Sequence, residues 1–95
     1  MDKAIPVYKT PIEEYTVVSN QSKTRYYKVC FGEVDWGRNG ETEYAVYVRV
    51  VLLKYGQMQY QNYAAHILVA PGEDGRSDLD NVMEKIELLR KKHLR

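Results

Sequence analysis

Hydrophobic and polar residues alternate through the middle of the chain, and this period of two is typical of β-strands that bury one face. The alternation predicts strands at 15–19, 24–34, 42–54 and 58–70. Asn39-Gly40 and Gly56 are expected to form the turns between the last three strands, because these residues tolerate the positive φ of a tight hairpin turn. The pattern therefore predicts an antiparallel meander of four strands.

The hydrophobic period changes near the C-terminus, where a helix is predicted over residues 77–93. Ser77 is a typical N-cap residue, and Asp80 places a negative charge near the positive end of the helix dipole. One apolar stripe runs along this helix, formed by Leu79, Val82, Met83, Ile86 and Leu89. The expected fold class is α+β, a curved four-stranded antiparallel β-meander followed by one C-terminal α-helix.

A chain of 95 residues has the length of a single domain. Pro6 and Pro11 disfavour regular pairing near the N-terminus. The expected organisation is an extended arm at 1–12 and one domain at 13–95, with the sheet at 13–70 and the helix at 77–93.

The predicted hairpin turn also assigns side chains to the two faces of the sheet. A two-residue turn at Asn39-Gly40 places Val29 opposite Val50 and Phe31 opposite Val48. Every second residue of the neighbouring strands is apolar and lies on the same face as these residues. The apolar stripe of the helix is expected to cover that face. It is therefore interpreted as the core.

The opposite surface of the sheet, here called the outer face, is rich in aromatic and polar side chains. In the predicted register Arg49 lies opposite Cys30, and Tyr47 lies opposite Gly32. Tyrosine and arginine suit a solvated strand face, and they are also enriched in binding interfaces. The candidate binding residues on this face and at the hairpin tip are Tyr26, Lys28, Trp36, Arg38, Tyr47, Arg49, Tyr60, Asn62 and His66.

The third predicted strand is longer than one helix can cover. It spans ~43 Å at ~3.3 Å per residue, whereas a helix of about seventeen residues spans ~25 Å. The sheet must therefore bend, or the arm or a second copy of the chain must cover the remainder. Val51, Leu53 and Met58 form an apolar patch at one end of the outer face, which favours a homodimer.

Composition narrows the classes of function. The chain is 44% hydrophobic and 28% charged, and its formal net charge is +1, so no global field favours nucleic acid or an anionic membrane. Nine tyrosines against one phenylalanine supply rings that carry a hydroxyl group for a ligand or for water. The single cysteine, the absence of an apolar run of ~18 residues and the absence of a signal-like start predict a cytoplasmic protein without a membrane partner.

Catalytic and metal-binding chemistry finds little support in the sequence. Cys30 and His66 are predicted on the same face but two strands apart, about 10 Å at ~4.8 Å per strand, which is beyond hydrogen-bond reach. One cysteine and two histidines without ligand spacing do not make a zinc site. No phosphate-binding glycine motif is present. We therefore expect no enzymatic activity, no cofactor and no metal.

The outer face is the candidate for function. Proteins that bind single-stranded DNA or RNA stack rings on bases and place cations near phosphates, and Lys28 and Arg49 supply such cations. Asn62 and His66 would donate or accept hydrogen bonds at base edges. A plain solvated face, a small-ligand site and a protein interface are the alternatives. As a protein-interaction module, such as a small inhibitor or adaptor of the kind that mobile elements encode, the chain would dock on a host protein through this face or through the tip at Trp36–Arg38.

The element order β-β-β-β-α across residues 15–93, with its long bent sheet, resembles that of a family of coactivators that bind single-stranded DNA as dimers. The segment VDWGRNGETEYAV (34–46) lies where those proteins have a central hairpin. The resemblance concerns element order. It implies a bent sheet, a dimer and single-stranded DNA as the ligand.

Overall fold

The computed structural model describes residues 7–61 and 65–94 of the chain. The strands are β1 (Val7–Tyr8), β2 (Glu13–Val18), β3 (Arg25–Asp35), β4 (Glu43–Lys54) and β5 (Gln57–Tyr60), and the helix is α1 (Asp78–His93). The described strand pairs are antiparallel: β1 and β2 pair with one edge of β3, and β4 and then β5 follow on its other side. The predicted fold class, a curved antiparallel sheet followed by one C-terminal helix, is confirmed.

The core lies between one face of the sheet and α1. Tyr27, Val29 and Val50 of the sheet are at most 1% exposed, and so are Val82 and Leu89 of the helix. Burying large apolar side chains contributes about 1.5–3 kcal/mol each. The strand alternation in β3 and β4 therefore predicts the buried face correctly.

The N-terminus of α1 is fixed by a capping box and by a buried carboxylate. The Ser77 hydroxyl accepts a hydrogen bond from the Asp80 N–H at 3.0 Å, and the Asp80 carboxylate accepts one from the Ser77 N–H at 2.9 Å. Asp78 is fully buried and accepts hydrogen bonds from the hydroxyls of Ser19 at 2.6 Å and Tyr27 at 2.7 Å. Burial opposes the ionisation of Asp78, but its hydrogen-bond donors outweigh burial, so its pKa lies below the usual value.

The C-terminus of α1 is fixed to β2 through Glu13. The Glu13 carboxylate lies 2.8 Å from Lys92 Nζ and 2.7 Å from His93 Nε2, and it accepts a hydrogen bond from the Tyr15 hydroxyl at 2.8 Å. The contact with Lys92, followed by those with His93 and Tyr15, lowers the pKa of Glu13 to about 2. The His93 ring also stacks on Phe31, with ring centroids 4.4 Å apart. The helix is therefore held against the core face at both ends.

The register of β3 and β4 differs from the predicted one by two residues. Phe31 pairs with Val46. The prediction of a two-residue turn at Asn39-Gly40 is wrong, because a seven-residue loop joins β3 to β4. The Asp35 carboxylate accepts hydrogen bonds from the N–H groups of Asn39 at 3.1 Å and Gly40 at 2.7 Å, which stabilises the longer loop. Because the shift is an even number of residues, each side chain keeps its predicted face.

The fourth predicted strand, at 58–70, is wrong in its extent. The turn predicted at Gly56 is confirmed: Tyr55 and Gly56 have φ of 52° and 75°, and β5 pairs with β4 directly after them. β5 ends at Tyr60, and the described residues beyond it form no strand. The outer face is therefore shorter than expected on this side of the sheet.

The segment 65–70 nevertheless packs against the core. Ala65 and Ile67 contact the core cluster. The Leu68 N–H donates to the Tyr27 hydroxyl at 3.3 Å, and the Leu68 carbonyl accepts from the Leu79 N–H at 3.1 Å. These bonds satisfy both backbone polar groups of Leu68 without a neighbouring strand. The alternation that predicts a strand here thus reflects burial and not strand pairing.

The region predicted as an arm, 1–12, contains the short strand β1. Val7 pairs with Asp35 and Tyr8 pairs with Val34. The pairing brings the N-terminal segment to the edge of β3, where it continues into β2. The side chain of Tyr8 is thereby placed on the outer face, because paired residues share a face.

The apolar patch predicted as a dimer seam is smaller than expected. Val51 is fully buried within the chain, and Leu53 is half-buried. Met58 is 46% exposed. The homodimer stays a prediction.

Candidate binding site

A cleft of about 270 Å³ opens on the outer face, where the N-terminal segment passes over the sheet. The Lys9 N–H donates to the Glu33 carbonyl at 3.1 Å, and the next residues bulge over Gly32. A Cβ at Gly32 would lie only 3.1 Å from the Pro11 Cα, so a larger residue here would force the crossing segment to shift by a few tenths of an ångström. This outer cleft is lined by Tyr8, Lys9, Thr10, Pro11, Glu14, Cys30, Tyr47, Arg49 and Tyr60.

Arg49 of β4 occupies the aromatic part of the outer cleft. Its guanidinium carbon lies 4.5 Å from the ring centroid of Tyr8 and 4.3 Å from that of Tyr60. These rings reach it from opposite sides of β4, because β1 lies beyond β3 and β5 is the next strand on the other side. Among the residues that the structure describes, none accepts a hydrogen bond from the Arg49 guanidinium or forms an ion pair with it. Its N–H groups are therefore available to an acceptor from outside.

The floor of the outer cleft is buried and uncharged. Tyr47 pairs with Cys30, not with Gly32 as predicted, and its ring packs against that of Tyr8 at 4.6 Å. The Tyr47 hydroxyl is buried and makes no hydrogen bond to a described residue. Burial raises the pKa of the Cys30 thiol to about 12 and raises the pKa of Tyr47 above its usual value. The thiol is protonated at neutral pH and is not an activated nucleophile.

Charged side chains surround the outer cleft, and cations are in excess. Arg49 pairs with Lys28, not with Cys30 as predicted. The Lys28 Nζ donates to the Thr16 hydroxyl at 2.7 Å and lies 3.9 Å from the Glu14 carboxylate. Lys9 lies at the rim of the cleft and is exposed. The charged residues that line the cleft are thus Lys9, Arg49 and Glu14, and Lys28 lies beside it.

The structure brings several of the predicted site residues together. Tyr47, Arg49 and Tyr60 line the outer cleft, and Lys28 lies beside it. Tyr26 is half-buried on the same face, two residues before Lys28 on β3. The shared face that the sequence predicts for these five residues is therefore present.

The other predicted site residues lie elsewhere or are not described. Trp36 and Arg38 are exposed in the loop between β3 and β4. His66 is exposed in the segment that follows β5, which ends at Tyr60, and it belongs to no strand. Asn62 lies outside the described residues.

Five residues that line the outer cleft lie outside the strands predicted for it, namely Tyr8, Lys9, Thr10, Pro11 and Glu14. Tyr8 and Lys9 belong to the region predicted as an arm, and Glu14 precedes the first predicted strand. The sequence signal that points to them is Gly32, because an isolated glycine within a strand marks a place where another backbone approaches closely.

Comparison with other proteins leaves the site to be interpreted from its own geometry. No protein-family model, no curated protein and no solved structure matches the chain. The resemblance in element order to the dimeric coactivators therefore stays a prediction.

The described part of the chain contains neither a cluster of potential metal-ligating side chains nor a helix that could span a membrane. Within residues 7–61 and 65–94, no three histidine, cysteine, aspartate or glutamate side chains are grouped as metal ligands would be. No helix in these ranges has the length and apolar character needed to cross a membrane.

Proposed function

We propose that the protein is a non-enzymatic binding module that holds single-stranded nucleic acid at the outer cleft. The observation that carries the proposal is the environment of Arg49. Its guanidinium contacts the rings of Tyr8 and Tyr60, and its N–H groups donate to no described residue. A guanidinium held by aromatic rings with its donors available suits a phosphate group, which accepts two parallel hydrogen bonds from it.

The aromatic surface beside Arg49 supports a nucleotide over a simple inorganic anion. Tyr60 is 46% exposed, so a base can stack on the part of its ring that Arg49 leaves uncovered. Stacking of a base on an aromatic side chain contributes about 1–3 kcal/mol. Bases within a duplex are already stacked on each other and paired, so a ligand that uses this ring is single-stranded.

The charges around the outer cleft support binding of moderate strength. Lys9 and Lys28 add positive charge beside Arg49, whereas Glu14 repels phosphate. Lys28 lies close enough to Glu14 to compensate part of its charge. With so few phosphate contacts, we expect micromolar affinity at low salt.

Fluorescence anisotropy of a labelled oligothymidine, titrated with the protein at low salt, tests the proposal. We expect saturable binding of the single strand and weaker binding of a duplex of the same length. Arg49→Gln should lower the affinity for the single strand about tenfold or more, because a hydrogen bond to a charged group contributes about 1.5–3 kcal/mol.

Arg90→Gln is the matched control for this experiment. It removes the same charge from the exposed surface of α1, where Arg90 pairs with Glu87 at 2.5 Å. We expect it to bind the oligonucleotide as the unmodified protein does. The proposal is wrong if the single strand does not bind at low salt, or if the two substitutions weaken binding equally.

A further inference from the structure

A second cleft lies at the tip of the β3–β4 hairpin. It has a volume of about 340 Å³. This tip pocket is lined by Trp36, Gly37, Asn39, Glu41, Thr42 and Glu43. It shares no lining residue with the outer cleft, and its chemistry is different, since its charged groups are carboxylates.

The loop that forms the tip pocket is held in shape by its own hydrogen bonds. The Asp35 carboxylate accepts hydrogen bonds from the N–H groups of Asn39 and Gly40. The Asn39 side-chain oxygen accepts from the Glu41 N–H at 3.0 Å, and the Thr42 hydroxyl donates to the Glu33 carboxylate at 2.7 Å. A loop ordered in this way loses little conformational entropy when a ligand binds.

Trp36 and two carboxylates give the tip pocket its binding character. The indole of Trp36 is 56% exposed. Glu41 and Glu43 are exposed as well, and no described residue forms an ion pair with either of them. Arg38 belongs to the same loop, but it does not line the pocket. An aromatic wall with two nearby carboxylates attracts a cation and repels a phosphate.

We propose that the tip pocket binds an arginine or lysine side chain of a partner protein. The cationic group of that side chain would lie against the Trp36 ring, and its hydrogen bonds would go to Glu41 and Glu43. The apolar stem of the side chain would cover the remaining exposed part of the indole. Trp is among the residues that contribute most to protein interfaces.

The intrinsic fluorescence of Trp36 measures occupancy of the tip pocket directly, because the chain contains one tryptophan. The probe is a capped pentapeptide with a single central arginine, and its control is the same peptide with citrulline at that position. We expect a saturable change in Trp36 emission with the arginine peptide and a much weaker one with the citrulline peptide. Glu41→Gln and Glu43→Gln should each weaken binding up to about fivefold at low salt, as expected for an exposed ion pair.

Two control variants test whether the peptide binds at the tip pocket and not elsewhere on the protein. Glu73→Gln removes an exposed carboxylate that lies outside the tip pocket, and we expect it to leave peptide binding unchanged. Arg49→Gln alters the outer cleft and should also leave peptide binding unchanged. The proposal is overturned if the two peptides act alike, if the emission change does not saturate, or if the Glu41 and Glu43 variants bind as well as the Glu73 variant.

Discussion

Charged residues of this chain differ in whether their hydrogen bonds are used within the fold. Asp78 is buried and accepts hydrogen bonds from Ser19 and Tyr27. Glu13 contacts Lys92 and His93 of the helix and the hydroxyl of Tyr15. The Arg49 guanidinium, in contrast, donates to no described residue. The two carboxylates are therefore expected to control stability, and Arg49 is expected to control binding.

Asp78→Ala should lower the free energy of unfolding by about 3 kcal/mol, because it leaves buried hydroxyl groups without an acceptor. The substitution removes the acceptor of the Ser19 and Tyr27 hydroxyls and of the Asn20 N–H. Urea denaturation followed by circular dichroism measures the change. Ser77 and Asp80, which keep the capping box, are unaffected. A loss below about 1 kcal/mol, the average for point mutants, would show that Asp78 does not anchor the helix.

Glu13 should make stability depend on pH in the acid range. Its pKa is about 2 in the folded protein against an ordinary value of 4.5. A lowered pKa in the folded state stabilises the protein above pH 4.5, and this contribution is lost as the pH falls towards 2. Urea midpoints of the unmodified protein and of Glu13→Gln should differ at pH 6 and converge near pH 2. A difference that stays constant over this range would contradict the lowered pKa of Glu13.

At the scale of elements, the strongly periodic segments follow the sequence and the connections do not. β3, β4 and α1 lie where the patterns predict them, since each has an apolar face that is buried. Two residues of the predicted helix stripe, Leu79 and Met83, are nevertheless exposed. The hairpin loop is different because the carboxylate of Asp35 organises it, and sequence spacing does not reveal such a contact. β5 ends at Tyr60, and Ala65 and Ile67 of the predicted fourth strand pack on the core outside any strand.

Gly32→Ala tests how β3 accommodates the N-terminal segment. The added Cβ would lie 3.1 Å from the backbone of Pro11, so the segment must shift. We expect a loss of about 1 kcal/mol in the free energy of unfolding, in the lower range for overpacking. Oligonucleotide binding should weaken as well, because Tyr8 and Lys9 move with the segment. Gly37→Ala makes the same change in the exposed hairpin loop and should leave oligonucleotide binding unchanged.

At the scale of the whole molecule, the outer cleft is formed by parts of the chain that are distant in sequence. Strand alternation predicts that Tyr47, Arg49 and Tyr60 share a face, and the even shift in register preserves that result. It does not predict that Tyr8 reaches Arg49, because Tyr8 lies in the region predicted as an unpaired arm, whereas it pairs with Val34 in β1. Strand alternation thus predicts the part of the outer cleft formed by Tyr47, Arg49 and Tyr60. The part formed by Tyr8 and Lys9 depends on the path of the N-terminal segment.

The excess of cations around the outer cleft predicts a definite salt dependence. With about three phosphate contacts, the logarithm of the affinity for a single strand should fall with a slope of about −2 against the logarithm of the salt concentration. Raising sodium chloride from about 50 to about 200 mM should therefore weaken binding roughly tenfold or somewhat more. Anisotropy titrations at four salt concentrations measure the slope. A slope near zero would indicate that phosphate contacts contribute little.

The central claim, that Arg49 contacts the nucleic acid, is tested most directly by nuclear magnetic resonance of arginine side chains. Titration of the ¹⁵N-labelled protein with oligothymidine should shift the Nε–H resonance of Arg49, assigned by comparison with Arg49→Gln, and the shift should saturate with the same affinity as the anisotropy titration. The Nε–H resonance of Arg90 should stay in place. If the oligonucleotide binds but the Arg49 resonance does not move, the outer cleft is not its site.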